Sequence, residues 1–160
     1  MEKVELLASL DRAIRAEEQA HSFYQTAAQK TRDLGGAAMF QELAAFEGHH
    51  RDRLVALRDS LKKADAWIEY KGRDLSKRPT AEAAARSGVD ERTDALGALR
   101  VAIEAEERAE TEYRALASQT ADQLGRRMFE RLAQEESMHR KLLDDQYYAL
   151  TNKGVWVWGD

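Results

Sequence analysis

Apolar positions recur along the chain at alternating spacings of three and four residues, the period of an amphipathic helix, in four separate stretches. In the first, Leu10, Ile14, Glu17, His21, Tyr24 and Ala28 share one stripe. The second aligns Phe40, Leu43, Glu47, His50, Leu54, Leu57 and Leu61. The third aligns Leu96, Leu99, Ile103, Glu106, Glu110, Tyr113 and Ala117, and the fourth Phe129, Leu132, Glu136, His139, Leu143 and Leu150. These patterns predict helices over 3–32, 36–63, 93–120 and 124–150. Few β-branched runs argue for strands, and Ala, Leu, Glu, Arg and Gln, all good helix formers, dominate the four stretches.

Leu34-Gly35-Gly36 and Leu124-Gly125 read as helix stops. Connections this short fold each pair of helices into an antiparallel hairpin. The segment 64–92 differs. It holds the only proline, Pro79, with Gly72 and Gly88, and is too long for a simple loop in a compact domain. It predicts a crossover running the length of a bundle, with Thr80 to Arg86 as a short helix capped by Thr80, and Glu82 nearby. The expected architecture is an all-α four-helix bundle of two antiparallel hairpins, one domain over 1–160. Its tail, 151–160, carries Val155-Trp156-Val157-Trp158. That tail either packs across the bundle end or makes a subunit contact, with Trp67, Ile68 and Tyr70 as a candidate counterpart.

The two halves match at one offset. Ala13-Ile14-Arg15-Ala16-Glu17-Glu18 aligns with Ala102-Ile103-Glu104-Ala105-Glu106-Glu107. Tyr24, Met39-Phe40, Leu43-Ala44, Glu47, His50, Arg51 and Leu54 align with Tyr113, Met128-Phe129, Leu132-Ala133, Glu136, His139, Arg140 and Leu143. Every pair is 89 residues apart, as Glu17 is from Glu106. A common offset across both helices predicts two copies of one hairpin about a pseudo-two-fold axis.

Four glutamates, Glu17, Glu47, Glu106 and Glu136, interrupt otherwise apolar stripes. A carboxylate in a bundle core costs several kcal/mol unless compensated, and no Lys or Arg shares the stripe positions. Two divalent cations would balance four carboxylates. Glu47 and His50 project from one helix face, as do Glu136 and His139. Glu17 and Glu47 stand at equal distance from the first turn, so they sit at similar height; Glu106 and Glu136 do the same around the second. One Glu from each of two helices plus Glu-x-x-His from each of the other two is the di-iron or di-manganese carboxylate pattern of bundles. Carboxylate and imidazole donors suit iron or manganese, and zinc is possible without redox chemistry.

Around these six, Tyr24 and Tyr113 are placed to hydrogen-bond the ligand carboxylates or simply to pack. His21 and Glu110, one turn beyond Glu17 and Glu106, are candidate additional ligands. Glu18, Glu107 and Glu135 lie off the stripes and are expected to be solvated or ion-paired, with His49 on the surface. Met39 and Met128 read as core filler.

The net charge of −4 offers no basic footprint for nucleic acid. No apolar run reaches the length of a membrane span. Met1 to Leu10 lacks the profile of a secretory signal, which makes cytoplasm the expected compartment. Cysteine is absent, so thiolate sites, disulfides and iron–sulfur clusters are excluded.

With these residues in view, the chain resembles the rubrerythrin branch of the ferritin-like superfamily over about 3–150. The resemblance is carried by Glu17-x-x-Ala20-x-x-Phe23-Tyr24, Glu47-x-x-His50, Glu106-x-x-Ala109-x-x-x-Tyr113 and Glu136-x-x-His139. It implies a ferritin-like fold, a homodimer, and two iron ions held by Glu17, Glu47, His50, Glu106, Glu136 and His139, with Glu47 and Glu136 bridging. It also implies reduction of hydrogen peroxide. Two departures stand out. The cysteines of a rubredoxin domain are missing, so electrons must come from a separate donor protein. The family's peroxidases carry a further Glu where this chain has Ala109, with Glu110 adjacent, which leaves Glu110 or His21 as its substitute. The expected function is a di-iron oxidoreductase acting on peroxide. The alternatives are ferritin-like iron binding or storage, and a di-iron oxygenase using dioxygen on an organic substrate.

Overall fold

The computed structural model describes residues 1–75 and 89–158. The expected short helix Thr80 to Arg86, with Glu82, Pro79 and Gly88, falls outside the described residues. Four helices follow in order: α1 (Lys3–Lys30), α2 (Leu34–Ala64), α3 (Val89–Gln119) and α4 (Gln123–Lys153). α1 runs along α2 and α3 along α4, whereas α1 approaches α3 at far fewer positions.

The turns are built differently from the glycine stops expected. α2 and α4 begin before their glycines, because Asp33 and Asp122 cap them. The Asp33 carboxylate accepts the Gly36 N–H at 2.8 Å and the Asp122 carboxylate accepts the Gly125 N–H at 2.9 Å, satisfying N–H groups that a helix start leaves unpaired. The glycines serve close packing. A Cβ at Gly36 would fall 2.7 Å from the Trp156 ring, and one at Gly125 would fall 2.5 Å from the Trp67 ring. Trp67 and Trp156 are themselves 89 residues apart. Each follows the second helix of its own hairpin and covers the turn of the other.

α4 runs to Lys153, past the expected end at 150, and stops where Gly154 adopts φ 70° as a left-handed cap. Beyond it Trp156 and Trp158 are buried. Trp156 meets Phe40 edge-on at 5.8 Å, and the Val157 N–H donates to Gln146. The tail therefore packs across the bundle end. Trp67 does the same at the opposite end, edge-on to Phe129 at 6.0 Å; it is the tail's equivalent, not its contact.

The apolar core forms two clusters. One gathers Leu6 and Leu10 with Leu57, Leu61, Leu116 and Phe129; the other gathers Ala27 and Phe40 with Leu99, Leu143, Leu150 and Trp156. The end of α2 thus lies beside the second turn, and the start of α3 beside the first. The two hairpins are antiparallel, and the chain from α2 to α3 must travel the bundle's length. Its described portion starts that journey: Trp67, Ile68 and Tyr70 pack on the first cluster and Leu75 on the second. Between the clusters lies a polar layer. Among the described residues no helix is long and apolar enough to cross a membrane.

The glycines separate two effects. Gly36→Ala and Gly125→Ala should each destabilise the chain by about 1–3 kcal/mol through overpacking against tryptophan. Gly97→Ala, on an exposed part of α3 where an added Cβ meets nothing within 4 Å, should stabilise it by about 0.5–1 kcal/mol. Chemical denaturation of the three variants checks both signs.

Candidate metal centre

The polar layer holds Glu17 from α1, Glu47 and His50 from α2, Glu106 from α3, and Glu136 and His139 from α4, all buried. Helix spacing places them. Glu and His three residues apart on one helix share a face, and the turns on either side set Glu17 and Glu106 at the matching height. His50 Nδ1 lies 3.0 Å from Glu136 Oε1, 3.2 Å from Glu47 Oε2 and 3.5 Å from Glu17 Oε1. His139 Nδ1 lies 2.9 Å from Glu47 Oε1, 3.6 Å from Glu136 Oε1 and 3.7 Å from Glu106 Oε1. These histidines are the cationic neighbours of the four carboxylates; no Lys or Arg among the described residues pairs with them.

Two groups of donor atoms result. Glu17, Glu47, His50 and Glu136 bring ligand atoms within 4.8 Å of one another, and so do Glu47, Glu106, Glu136 and His139. A first-row cation with ligand bonds of ~2.0–2.2 Å places its ligands at most ~4.4 Å apart, so small inward shifts would complete either group. Glu47 and Glu136 belong to both. Among the described residues, Glu47 Oε2, His50 Nδ1, Glu106 Oε2 and Glu136 Oε1 are buried without a well-oriented hydrogen bond, although His50 Nδ1 stands at ion-pair distance from Glu47 Oε2 and Glu136 Oε1. Native interiors rarely leave such atoms without well-oriented bonds. Their convergence, with oxygen and nitrogen donors only, fits two divalent ions sharing two carboxylates.

The tyrosines act crosswise. Tyr24 donates to Glu106 Oε1 at 2.6 Å, and Tyr113 donates to Glu17 Oε1 at 2.5 Å. Each therefore holds a glutamate of the other hairpin and fixes its second oxygen for another partner. The two remaining candidates lie outside the groups. His21 is turned to the Ala44 carbonyl at 2.6 Å. Glu110 pairs with Arg114 at 2.9 Å and Arg140 at 3.5 Å. Neither side chain therefore supplies a carboxylate or imidazole to the layer beside Ala109. Glu18 and Glu107 are exposed, and His49 is half-buried beside Tyr70.

Glu135 is ion-paired, one of the two outcomes expected of it, but it is not the off-stripe surface group that the helix pattern suggests. It is fully buried. It does pair with Arg131 at 2.7 Å, yet it also accepts from His50 Nε2 at 2.9 Å, from the Arg73 N–H at 2.8 Å and from the Tyr70 hydroxyl. Helix periodicity could not find it, because the burial comes from the chain after α2, which lies over the α2–α4 face.

The metal-free layer holds protons. Burial pushes Glu17 and Glu136 well above the usual carboxylate range, and neighbouring carboxylates add to it. Glu106 rises for the same reasons, burial first and then Glu47. Burial also works on Glu47, but the neighbouring Glu17, His139 and His50 outweigh it and hold Glu47 well below that range. Burial lowers His139, but Glu106 and Glu47 overcome it and carry the imidazole up to about 9. His50 also rises, as Glu17 and Glu135 outweigh its burial.

A family model named Rubrerythrin matches residues 9–91 and 97–154 of the chain. A solved structure of a hypothetical protein from Pyrococcus furiosus is similar at a TM-score of 0.74 and 25% identity, covering 92% of this chain and 91% of that one. No curated protein matches the chain.

The protonation pattern predicts two pH effects. Metal ions must displace the protons on the imidazoles and raised carboxylates, so metal affinity should rise with pH and binding should release protons. Calorimetry in buffers of different ionisation enthalpy checks this; buffer-independent heats would contradict it. In the metal-free chain, His139 is raised from 6.5 to about 9. Its contribution to stability is fully present below 6.5 and is lost as pH rises through about 9. Glu135 is lowered from 4.5 to about 2, where burial is outweighed by hydrogen bonds from His50 and Tyr70. Its contribution is present above 4.5 and is lost as pH falls through about 2. The Tm of the metal-free chain should therefore fall at both ends, and bound metal should flatten the alkaline side.

Proposed function

The chain belongs to the rubrerythrin family, and from that premise we propose that it is a di-iron oxidoreductase reducing hydrogen peroxide with electrons from a separate protein. The observation that supports this most is the pair of donor groups sharing Glu47 and Glu136, with buried oxygen and nitrogen atoms turned toward one another but not joined by well-oriented hydrogen bonds. When bound, a pair of redox-active ions supplies the two electrons that an O–O bond needs for cleavage. The absence of cysteine from these 160 residues supports a separate donor. The same reading carries a homodimer in the cytoplasm, and manganese or zinc as the other ions the donor set accepts.

The chain's own residues define the route in. On the α2–α4 face, Tyr70 and Arg73 cover Glu135 and close the layer from that side. Between α1 and α3 a cavity of about 310 Å³ opens instead, with Glu17, Glu106 and Glu136 at its floor. Tyr24 and Tyr113 line it and hold Glu106 and Glu17 in place.

That cavity also favours a second reading, oxidation of a small organic molecule. Its walls are mostly apolar: Ala16, Ala20, Ala105, Ala109, Phe23 and Val101. Its volume lies at the small end of organic ligand sites, about 300–1,000 Å³, and far exceeds what peroxide needs. Ala109 forms part of its wall where the family's peroxidases place a carboxylate.

Reduced, iron-loaded chain should be oxidised on mixing with hydrogen peroxide and should turn over when a reductase is supplied. Ala105→Leu, which narrows the cavity without touching a ligand, should retain that turnover. Absence of turnover with several reductases, together with oxygen-dependent consumption of an apolar substrate that Ala105→Leu abolishes, would replace the first reading with the second.

A further inference from the structure

One shell beyond the six ligands, the two halves of the centre stop matching. Phe46 on α2 and Glu135 on α4 are 89 residues apart, the offset that relates Glu47 to Glu136. Each immediately precedes a shared glutamate, and one is a phenyl ring where the other is a carboxylate.

The consequence falls on the histidines. His50 directs Nδ1 into the donor group and donates from Nε2 to Glu135 at 2.9 Å. Glu135 is held in turn by Arg131, by the Tyr70 hydroxyl and by the Arg73 N–H. Gly72, at φ 81°, provides the left-handed turn just before Arg73, a conformation glycine adopts without strain. His139 also directs Nδ1 inward, but its Nε2 is buried with no hydrogen-bond partner among the described residues. Its ring lies edge-on to Phe46 at 4.3 Å.

We propose that the two metal positions are unequal: the one at His50 is tighter and fills first, the one at His139 is weaker and exchanges, and Glu135 is the positioning residue responsible. This rests on the two-metal reading above. An imidazole that binds metal through Nδ1 must carry its proton on Nε2. Glu135 accepts that proton's hydrogen bond, fixes the tautomer and the ring plane, and increases electron donation to the metal. The Arg131 pairing satisfies the charge of Glu135, so it supports His50 without competing as a ligand. Among the described residues the Nε2–H of His139 meets no hydrogen-bond acceptor, and the neighbouring Phe46 ring is a much poorer one.

Stepwise addition of cobalt(II) to the metal-free full chain, followed by visible absorption and by counting bound ions, tests this. Two ions per chain should bind in two resolved steps. His50→Ala should remove the tighter step and His139→Ala the weaker. Glu135→Gln should weaken the tighter step by about 10–100-fold, the range seen when such partners are lost, and leave the other in place, so that the steps merge. Tyr70→Phe, which removes one donor to Glu135 and disturbs the core least, should weaken the same step by a smaller factor. Two ions bound with equal affinity, or Glu135→Gln and Tyr70→Phe that spare the tighter step or weaken both alike, would overturn the proposal. Fewer than two ions per wild-type chain would overturn the two-metal reading itself.

Discussion

A layer of four carboxylates and two imidazoles crosses the middle of the bundle between two apolar clusters, and the rest of the structure is arranged around compensating it. Each buried ion carries a desolvation penalty of several kcal/mol. Protons offset it in the metal-free chain, where burial and crowding raise Glu17, Glu106 and Glu136. Divalent ions would offset it more completely, because their charge matches all four carboxylates at once. Folding and metal binding are then coupled.

The hairpins share little backbone contact through α1 and α3, so side chains at three levels tie them together. At the centre Tyr24 reaches Glu106 and Tyr113 reaches Glu17. At the two ends Trp67 lies on Gly125 and Trp156 on Gly36. These contacts come in reciprocal pairs, so a change that loosens one hairpin loosens its hold on the other. The pairing fails on the α2–α4 face. There the chain after α2 continues past Trp67 to bring Tyr70 and Arg73 onto Glu135, while the position 89 residues before Glu135 is the phenyl ring of Phe46. The covered face and the open α1–α3 cavity give the centre two unlike sides.

Some of this was legible along the chain. The helix stripes carried the six residues of the layer, because a core carboxylate at helical spacing is conspicuous among leucines. The turns were found, but for the wrong reason. Asp33 and Asp122 were the caps, and the glycines mark the approach of a tryptophan distant in sequence. The pair Trp67 and Trp156 carried the common offset and could have revealed that approach. His21 and Glu110 sit on the stripes yet turn to the Ala44 carbonyl and to arginines, since a stripe records a face of a helix and not which of its edges meets a neighbour.

By itself the sequence determined the helices, their pairing into hairpins and the identity of the residues in the central layer, because these follow from local periodicity and from the distance of each residue to its turn. Only the tertiary structure decided the environment of that layer: which tyrosine holds which glutamate, which side is covered and which opens to a cavity, and why Glu135 is buried while Glu18 and Glu107 are not. Those outcomes depend on contacts between segments far apart in the chain, above all the residues after α2 laid across α4. A helical pattern carries no record of what will cover it.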